Sequence, residues 1–186
     1  MWAALVVGVG AVVVAGLVSA SPAIATSTRS VAGIPEGGVA AGLDTTLYLP
    51  ENTPAPAVLL AHGFGGSKTD LDSQARSLAE HGYVVLAYSA RGFGRSGGLI
   101  HLDAPSYEVA DAGRLISYLA TLPQVVKDAP GDPRVGVAGS SYGGGLALLL
   151  SAYDKRVDAV GADITWHDLS QALFRNAAGR SEEHTA

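Results

Sequence analysis

At 186 residues the chain has room for one domain with a sizeable core and is too short for two ordinary ones. Its 12 basic and 17 acidic side chains, a net charge of −5 spread along the sequence, form no basic stripe for phosphate backbones and argue against nucleic acid as a partner. Without cysteine there is no disulfide framework, no thiolate metal site and no lipid-modified cysteine anchor.

From Trp2 to Ala20 no residue is charged, and the apolar block through Val18 has the size of a signal peptide or a membrane span. Ala23-Ile24-Ala25 follows, an A-x-A pattern of the kind signal peptidase cuts after. Residues 1–25 are therefore expected to direct export, giving a secreted protein. An uncleaved anchor through residues 1–20 is the alternative, because no Lys or Arg precedes the block to form a positive leader. Gly8, Gly10 and Gly16 make no dinucleotide fingerprint, since no strand-turn-helix unit surrounds them. Residues 26–38, rich in Ser, Thr, Gly and Pro, read as a linker.

The folded domain is expected over residues 39–179. Residues 39–49 predict an early antiparallel strand. Ala57-Val58-Leu59-Leu60-Ala61 is continuously apolar, as a strand needs to be when helices cover both sheet faces. His62-Gly63-Phe64-Gly65-Gly66 then falls just past its carboxyl end, where open α/β sheets bind ligands. Residues 67–81 predict a helix stopped at Gly82, 83–88 a buried strand, and 91–98 a glycine-rich loop at the same sheet edge. That loop lacks the lysine and Ser/Thr pair of a phosphate cradle, so its arginines are expected to hold the active-site floor or the surface. Residues 103–122 predict a second helix ended by Pro123, and 157–165 a further parallel strand. Strands alternating with helices from 57 to 165 predict a doubly wound, mostly parallel α/β sheet.

Between these lies Arg134 to Gly145, where a short apolar strand, a sharp turn and an apolar helix are packed into one stretch. Gly139-Ser140-Ser141-Tyr142-Gly143 fits G-x-S-x-G, the spacing of a nucleophile elbow, and makes Ser141 the candidate nucleophile. Such an elbow takes one oxyanion-hole amide from the residue after the serine and one from the loop after the earlier strand. Tyr142 and Phe64 are the candidate backbone donors, with Gly63 and Gly65 shaping the loop. His62 is expected to order the loop rather than to act as base.

Ser89-Ala90-Arg91-Gly92-Phe93-Gly94-Arg95-Ser96-Gly97-Gly98 fits D-x-R-G-x-G-x-S-x-G except that Ser89 replaces the acid, and Gly139 to Gly144 fits G-x-S-Y-G-G. On these loops the chain resembles the α/β-hydrolases, and among them the Xaa-Pro dipeptidyl-peptidase-like branch that includes cocaine-esterase-type acyl hydrolases, over roughly residues 40–175. Some members use a tyrosine hydroxyl in the oxyanion hole. Phe64 has none, so both donors here would be backbone amides. The resemblance implies acyl transfer on small ester, amide or peptide substrates, with Ser141 as nucleophile, a histidine as base and a carboxylate orienting it, and with no cofactor and no metal.

In this fold the acid and then the histidine follow the serine. Asp163 comes too early for the usual acid and His167 only four residues later, so they read as a strand-end acid and a surface histidine. Arg180-Ser181-Glu182-Glu183-His184-Thr185 looks like the translation of a sequencing adapter, making 180–186 a foreign tail and His184 functionless; a genuine polar C-terminus is the alternative. The chain is thus expected to be the front part of a longer hydrolase, its sheet incomplete after about the sixth strand and its triad acid and histidine beyond it. A catalytically inactive, exported hydrolase-fold binding module is the rival reading. An intracellular nucleotide-binding domain is disfavoured by the missing fingerprints.

Overall fold

Leu59 and Leu60 are neighbours on one short strand, point to opposite sides and are both wholly buried, so both sides of the sheet there must be covered. The structure, a computed structural model, describes residues 23–173. Most of the expected export segment, the expected tail and His184 lie outside the described residues. Among the described residues no helix is long and apolar enough to cross a membrane.

Six strands form the main sheet: β1 (Ala25–Glu36), β2 (Val39–Leu49), β3 (Ala57–Ala61), β4 (Val84–Tyr88), β5 (Val135–Ser140) and β6 (Val157–Asp163). Their spatial order is β1-β2-β4-β3-β5-β6, antiparallel between β1, β2 and β4 and parallel from β4 onward. The helices are α1 (Asp72–Glu80), α2 (Ala110–Thr121), α3 (Tyr142–Tyr153) and the short α4 (Leu169–Leu173). Leu59, Leu86 and Val137 pack with Ile116 and Leu119 of α2 and Leu146 of α3. On the opposite face Leu60 and Val85 pack with Ala75 and Ala79 of α1. This is the expected doubly wound, mostly parallel sheet.

The linker expected over residues 26–38 is corrected: they belong to β1 and its hairpin with β2. Glu36 pairs with Val39 across Gly37-Gly38, which sit at φ 58° and 83°, the positive pair that a tight primed hairpin turn demands and that glycine accepts without strain. The strand expected over 157–165 is shorter, because the chain turns at Ile164, which has φ 38°.

One buried ion pair ties this hairpin to the glycine-rich loop. Arg91, with no exposed surface, donates from Nε and one terminal nitrogen to both oxygens of Asp111 on α2, at 2.7 and 2.9 Å, and from the latter nitrogen also to the Ile34 carbonyl at 3.0 Å. Asp111 in turn accepts from the Ile34 amide. Arg95 on the same loop is exposed, at the surface, whereas Arg91 is buried and holds the loop to α2 and the hairpin.

Candidate active site

The parallel register Ala61↔Gly139 between β3 and β5 brings the two loops that follow these strands side by side. Ser141 lies between the end of β5 and the start of α3, with φ 54° and ψ −115°. For a residue carrying a Cβ that conformation stores strain, of order 1–3 kcal/mol, which the surroundings must hold in place. The flanking glycines show how. A Cβ on Gly139 would stand 2.5 Å from the Gly143 carbonyl carbon and 2.8 Å from the Ala61 oxygen, and one on Gly143 would collide with the Ala61 carbonyl. Only glycine at both positions lets the strand reverse into the helix this tightly. The turn is further fixed by the Ser141 amide donating to the Asp163 carbonyl of β6, and by the Gly145 amide donating to the Ser141 carbonyl, both at 3.0 Å.

Tyr142 is the first residue of α3, so its amide belongs to the first turn and has no intrahelical acceptor. Neither the Tyr142 nor the Phe64 amide donates a hydrogen bond among the described residues. Gly63 lies against the elbow, its missing Cβ about van der Waals distance from the Ser140 carbonyl and Ser141 Cβ, 3.8 and 3.9 Å away. The Tyr142 amide lies at a helix N-terminus next to the serine, and the Phe64 amide is in the loop whose Gly63 approaches it. Gly65, at φ 81°, turns the loop away behind them.

Around this lies a set of aromatic rings. Phe64, 62% exposed, stands edge-on to Phe93 and to Tyr142, with centroids 5.2 and 5.6 Å apart, and Tyr142 reaches on toward Trp166 at 6.5 Å. His62 sits beneath, edge-on to Phe93. Its Nδ1 bonds the Gly63 carbonyl at 2.8 Å and its Nε2 accepts from the Ala90 amide at 2.9 Å, which requires the neutral Nδ1–H form. Burial lowers its pKa, against weaker opposing effects of the Gly63 carbonyl and Asp70. With both nitrogens committed to the main chain His62 orders the loop, as expected.

Among the described residues no histidine is hydrogen-bonded to Ser141. His101 pairs with Glu36 at 2.8 Å, His81 bonds the Ser77 carbonyl, and His167 is exposed. Asp163 is exposed as well and uses its carbonyl, not its carboxylate, toward the serine. No group of three or more His, Asp or Glu side chains suited to a metal ion occurs among the described residues.

Sequence reading missed Asp103, Phe93 and Trp166. Asp103 is buried, donates its amide to the Tyr142 hydroxyl at 3.2 Å, and has a pKa pushed up to about 7 by burial and then by the nearby Glu108 carboxylate. The Tyr142 hydroxyl is likewise raised, by burial first and by Asp103 and Glu108 after it.

A mostly parallel sheet carrying a serine on a strained strand-to-helix elbow, beside a glycine-bearing loop from the next strand, defines the chain as an α/β-hydrolase fold. Residues 37–186 match the X-Pro dipeptidyl-peptidase (S15) family, and the chain belongs to that family. It is 32% identical over 138 residues to the uncharacterized protein PA2218 of Pseudomonas aeruginosa, covering 72% of this chain and 36% of that protein. It is also 35% identical over 127 residues to a monoacylglycerol lipase of Mycolicibacterium smegmatis, covering 68% of this chain and 41% of the lipase. The crystal structure of PA2218 superposes with a TM-score of 0.66 at 29% identity, over 81% of this chain and 45% of that one. The α/β-hydrolase GrgF of Penicillium sp. sh18 superposes at 0.67 and 23% identity, over 78% of this chain and 48% of that one, a likeness of fold. The chain spans less than half the length of these relatives.

Proposed function

We propose that the protein is a serine hydrolase acting by acyl transfer on small ester, amide or peptide substrates, with Ser141 as nucleophile. The observation that carries this reading is the Ser141 elbow itself, a strained serine between two obligatory glycines with the Tyr142 and Phe64 amides free beside it. Ser141 Oγ attacks the substrate carbonyl carbon, its proton passes to a histidine, and the tetrahedral oxyanion is held by the two amides. Collapse expels the leaving group, which takes the proton back, and water then releases the acid from the acyl-enzyme by the same steps. The histidine and its carboxylate belong, in this reading, to the portion of the protein that the relatives possess and this chain does not span. X-Pro dipeptide release, the activity in the family's name, and ester hydrolysis, the activity in the lipase's name, use the same chemistry.

In the complete gene product Ser141→Ala should lower p-nitrophenyl acetate turnover by about 10⁴–10⁶-fold while Ser140→Ala keeps most of it. Equal turnover in wild type and Ser141→Ala would support the rival reading, a hydrolase fold used for binding. We further propose export on the apolar residues 1–20 and the Ala23-Ile24-Ala25 pattern. A mature N-terminus near Thr26 is the expected result, and intact Met1 recovered from membranes would instead establish an anchor.

A further inference from the structure

The loop that follows the glycine-rich turn does something costly. Leu102 and Asp103 both take left-handed backbone, at φ 54° and 60°, in residues with no glycine freedom. The result inverts the usual preference: Leu102 is 47% exposed and Asp103 only 3%. The inverted turn is held on both sides by Glu108, whose two oxygens accept from the His101 amide at 2.6 Å and the Ala104 amide at 3.0 Å. Within that bracket the Asp103 amide donates to the Tyr142 hydroxyl, and Asp103 Oδ2 lies 3.3 Å from where a Gly145 Cβ would stand, against the first turn of α3. Neither Asp103 carboxyl oxygen has a hydrogen-bond partner among the described residues. A buried acid with no donor, placed by two strained residues behind the residue that offers an oxyanion amide, is hard to account for by stability alone.

We propose that Asp103 is a positioning residue for catalysis at Ser141: from behind the first turn of α3 it fixes the Tyr142 side chain, and its charge state is felt at the Tyr142 amide. The proposal rests on the serine-hydrolase reading above. The titratable groups facing Asp103 are Glu108 from the turn before α2, Tyr142 from α3 and Tyr88 from β4. None supplies a cation, and the only one that favours the ionised acid, the Tyr142 hydroxyl, is outweighed by burial and by Glu108. Its pKa of about 7 divides the behaviour. Below it the group is neutral and the α3 N-terminus keeps its full attraction for an oxyanion. Above it a carboxylate behind the same turn opposes the negative charge that develops on the substrate.

The test compares wild type and Asp103→Asn in the complete gene product, reading kcat and KM for an ester from pH 5 to 9. In the wild type kcat should fall roughly three- to tenfold as pH rises through about 7, with KM unchanged, and the fall should be absent in Asp103→Asn, which keeps the main-chain donor to Tyr142. Superimposable profiles would overturn the proposal while leaving Ser141 as nucleophile; loss of all Ser141-dependent turnover in the wild type would overturn both. Should Asp103→Asn not fold, carbon-13 NMR of aspartate carboxyls in the wild type decides. A carboxyl titrating near neutrality, absent after chemical shift assignment from every other aspartate, is expected, and an Asp103 midpoint near 4 would refute the assignment.

Discussion

Replacing Asp111 with alanine removes one partner from the most deeply buried ion pair described. The Arg91 side chain is 0% exposed and Asp111 1% exposed, and the substitution takes away two charge-assisted hydrogen bonds to the guanidinium together with the acceptor of the Ile34 amide. Glu36 Oε2 at 3.5 Å and the Ile34 carbonyl at 3.0 Å remain as weaker partners, and a buried guanidinium stripped of its main carboxylate costs up to about 3–5 kcal/mol, a large share of a domain's ordinary 5–15 kcal/mol. At about 2–4 °C per kcal/mol for a domain of 150–250 residues, the melting temperature should fall by roughly 6–20 °C. The control is Asp128→Ala, which breaks the Arg134–Asp128 pair, 54% and 36% exposed, and should cost under about 1 kcal/mol. Replacing both buried partners together, as Arg91→Met with Asp111→Leu, should recover most of the loss, because the burden is the stranded charge rather than a missing attraction. Urea unfolding of the four proteins measures the free energies and thermal melts the temperature shift. Equal losses for Asp111→Ala and Asp128→Ala, or a double variant no better than Asp111→Ala, would refute the reasoning.

Gly143→Ala should be more damaging than its size suggests, since the added Cβ meets the Ala61 carbonyl and the His62 carbonyl, both backbone. Turnover should fall at least a hundredfold and stability by about 2 kcal/mol or more, whereas Gly131→Ala, with open space around it and only its φ of 80° to oppose it, should cost about 1 kcal/mol and leave turnover intact. Stability should also depend on pH through two buried groups that act in opposite directions. Asp103 has a folded pKa raised from 3.8 to about 7, so its neutral form is favoured by folding; stability is complete at low pH and declines as pH rises from about 4 to about 7, by about 2–4 kcal/mol. His62 has a folded pKa lowered from 6.5, so its contribution is present above that value and lost as pH falls below it. Asp103→Asn should remove only the decline between about pH 4 and 7 and leave the His62 contribution in place. A profile unchanged by that substitution would contradict the assignment.

The elbow was legible because its requirements are local. The glycines at 139 and 143 answer to backbone atoms within a few residues or on the adjacent strand, and the apolar runs on either side announce a strand and a helix. The sheet core was legible for a similar reason, since strands covered on both faces must be apolar throughout. β1 was misread because it is an edge strand, exposed at every residue from Ala25 to Ser30, and so carries no alternating apolar pattern. The sign that remained was Gly37-Gly38, a hairpin signal taken for linker composition. Asp103 lay beyond reach for another reason. Ahead of a predicted helix an aspartate resembles an ordinary cap, and nothing local reveals that two left-handed residues turn it inward against a helix that begins 39 residues later. The Arg91–Asp111 pair is equally non-local, though Arg91 within a glycine-rich loop was a fair pointer to a structural cation.

In the proposed mechanism Ser141, and not its neighbour Ser140, is the nucleophile. Treating the complete gene product with a fluorophosphonate and mapping the modified peptide by mass spectrometry tests it directly, because only an activated serine beside an oxyanion hole forms the adduct rapidly. A single adduct on Ser141 is expected, lost in Ser141→Ala and retained in Ser140→Ala. An adduct on Ser140, or labelling that persists in Ser141→Ala, would contradict it.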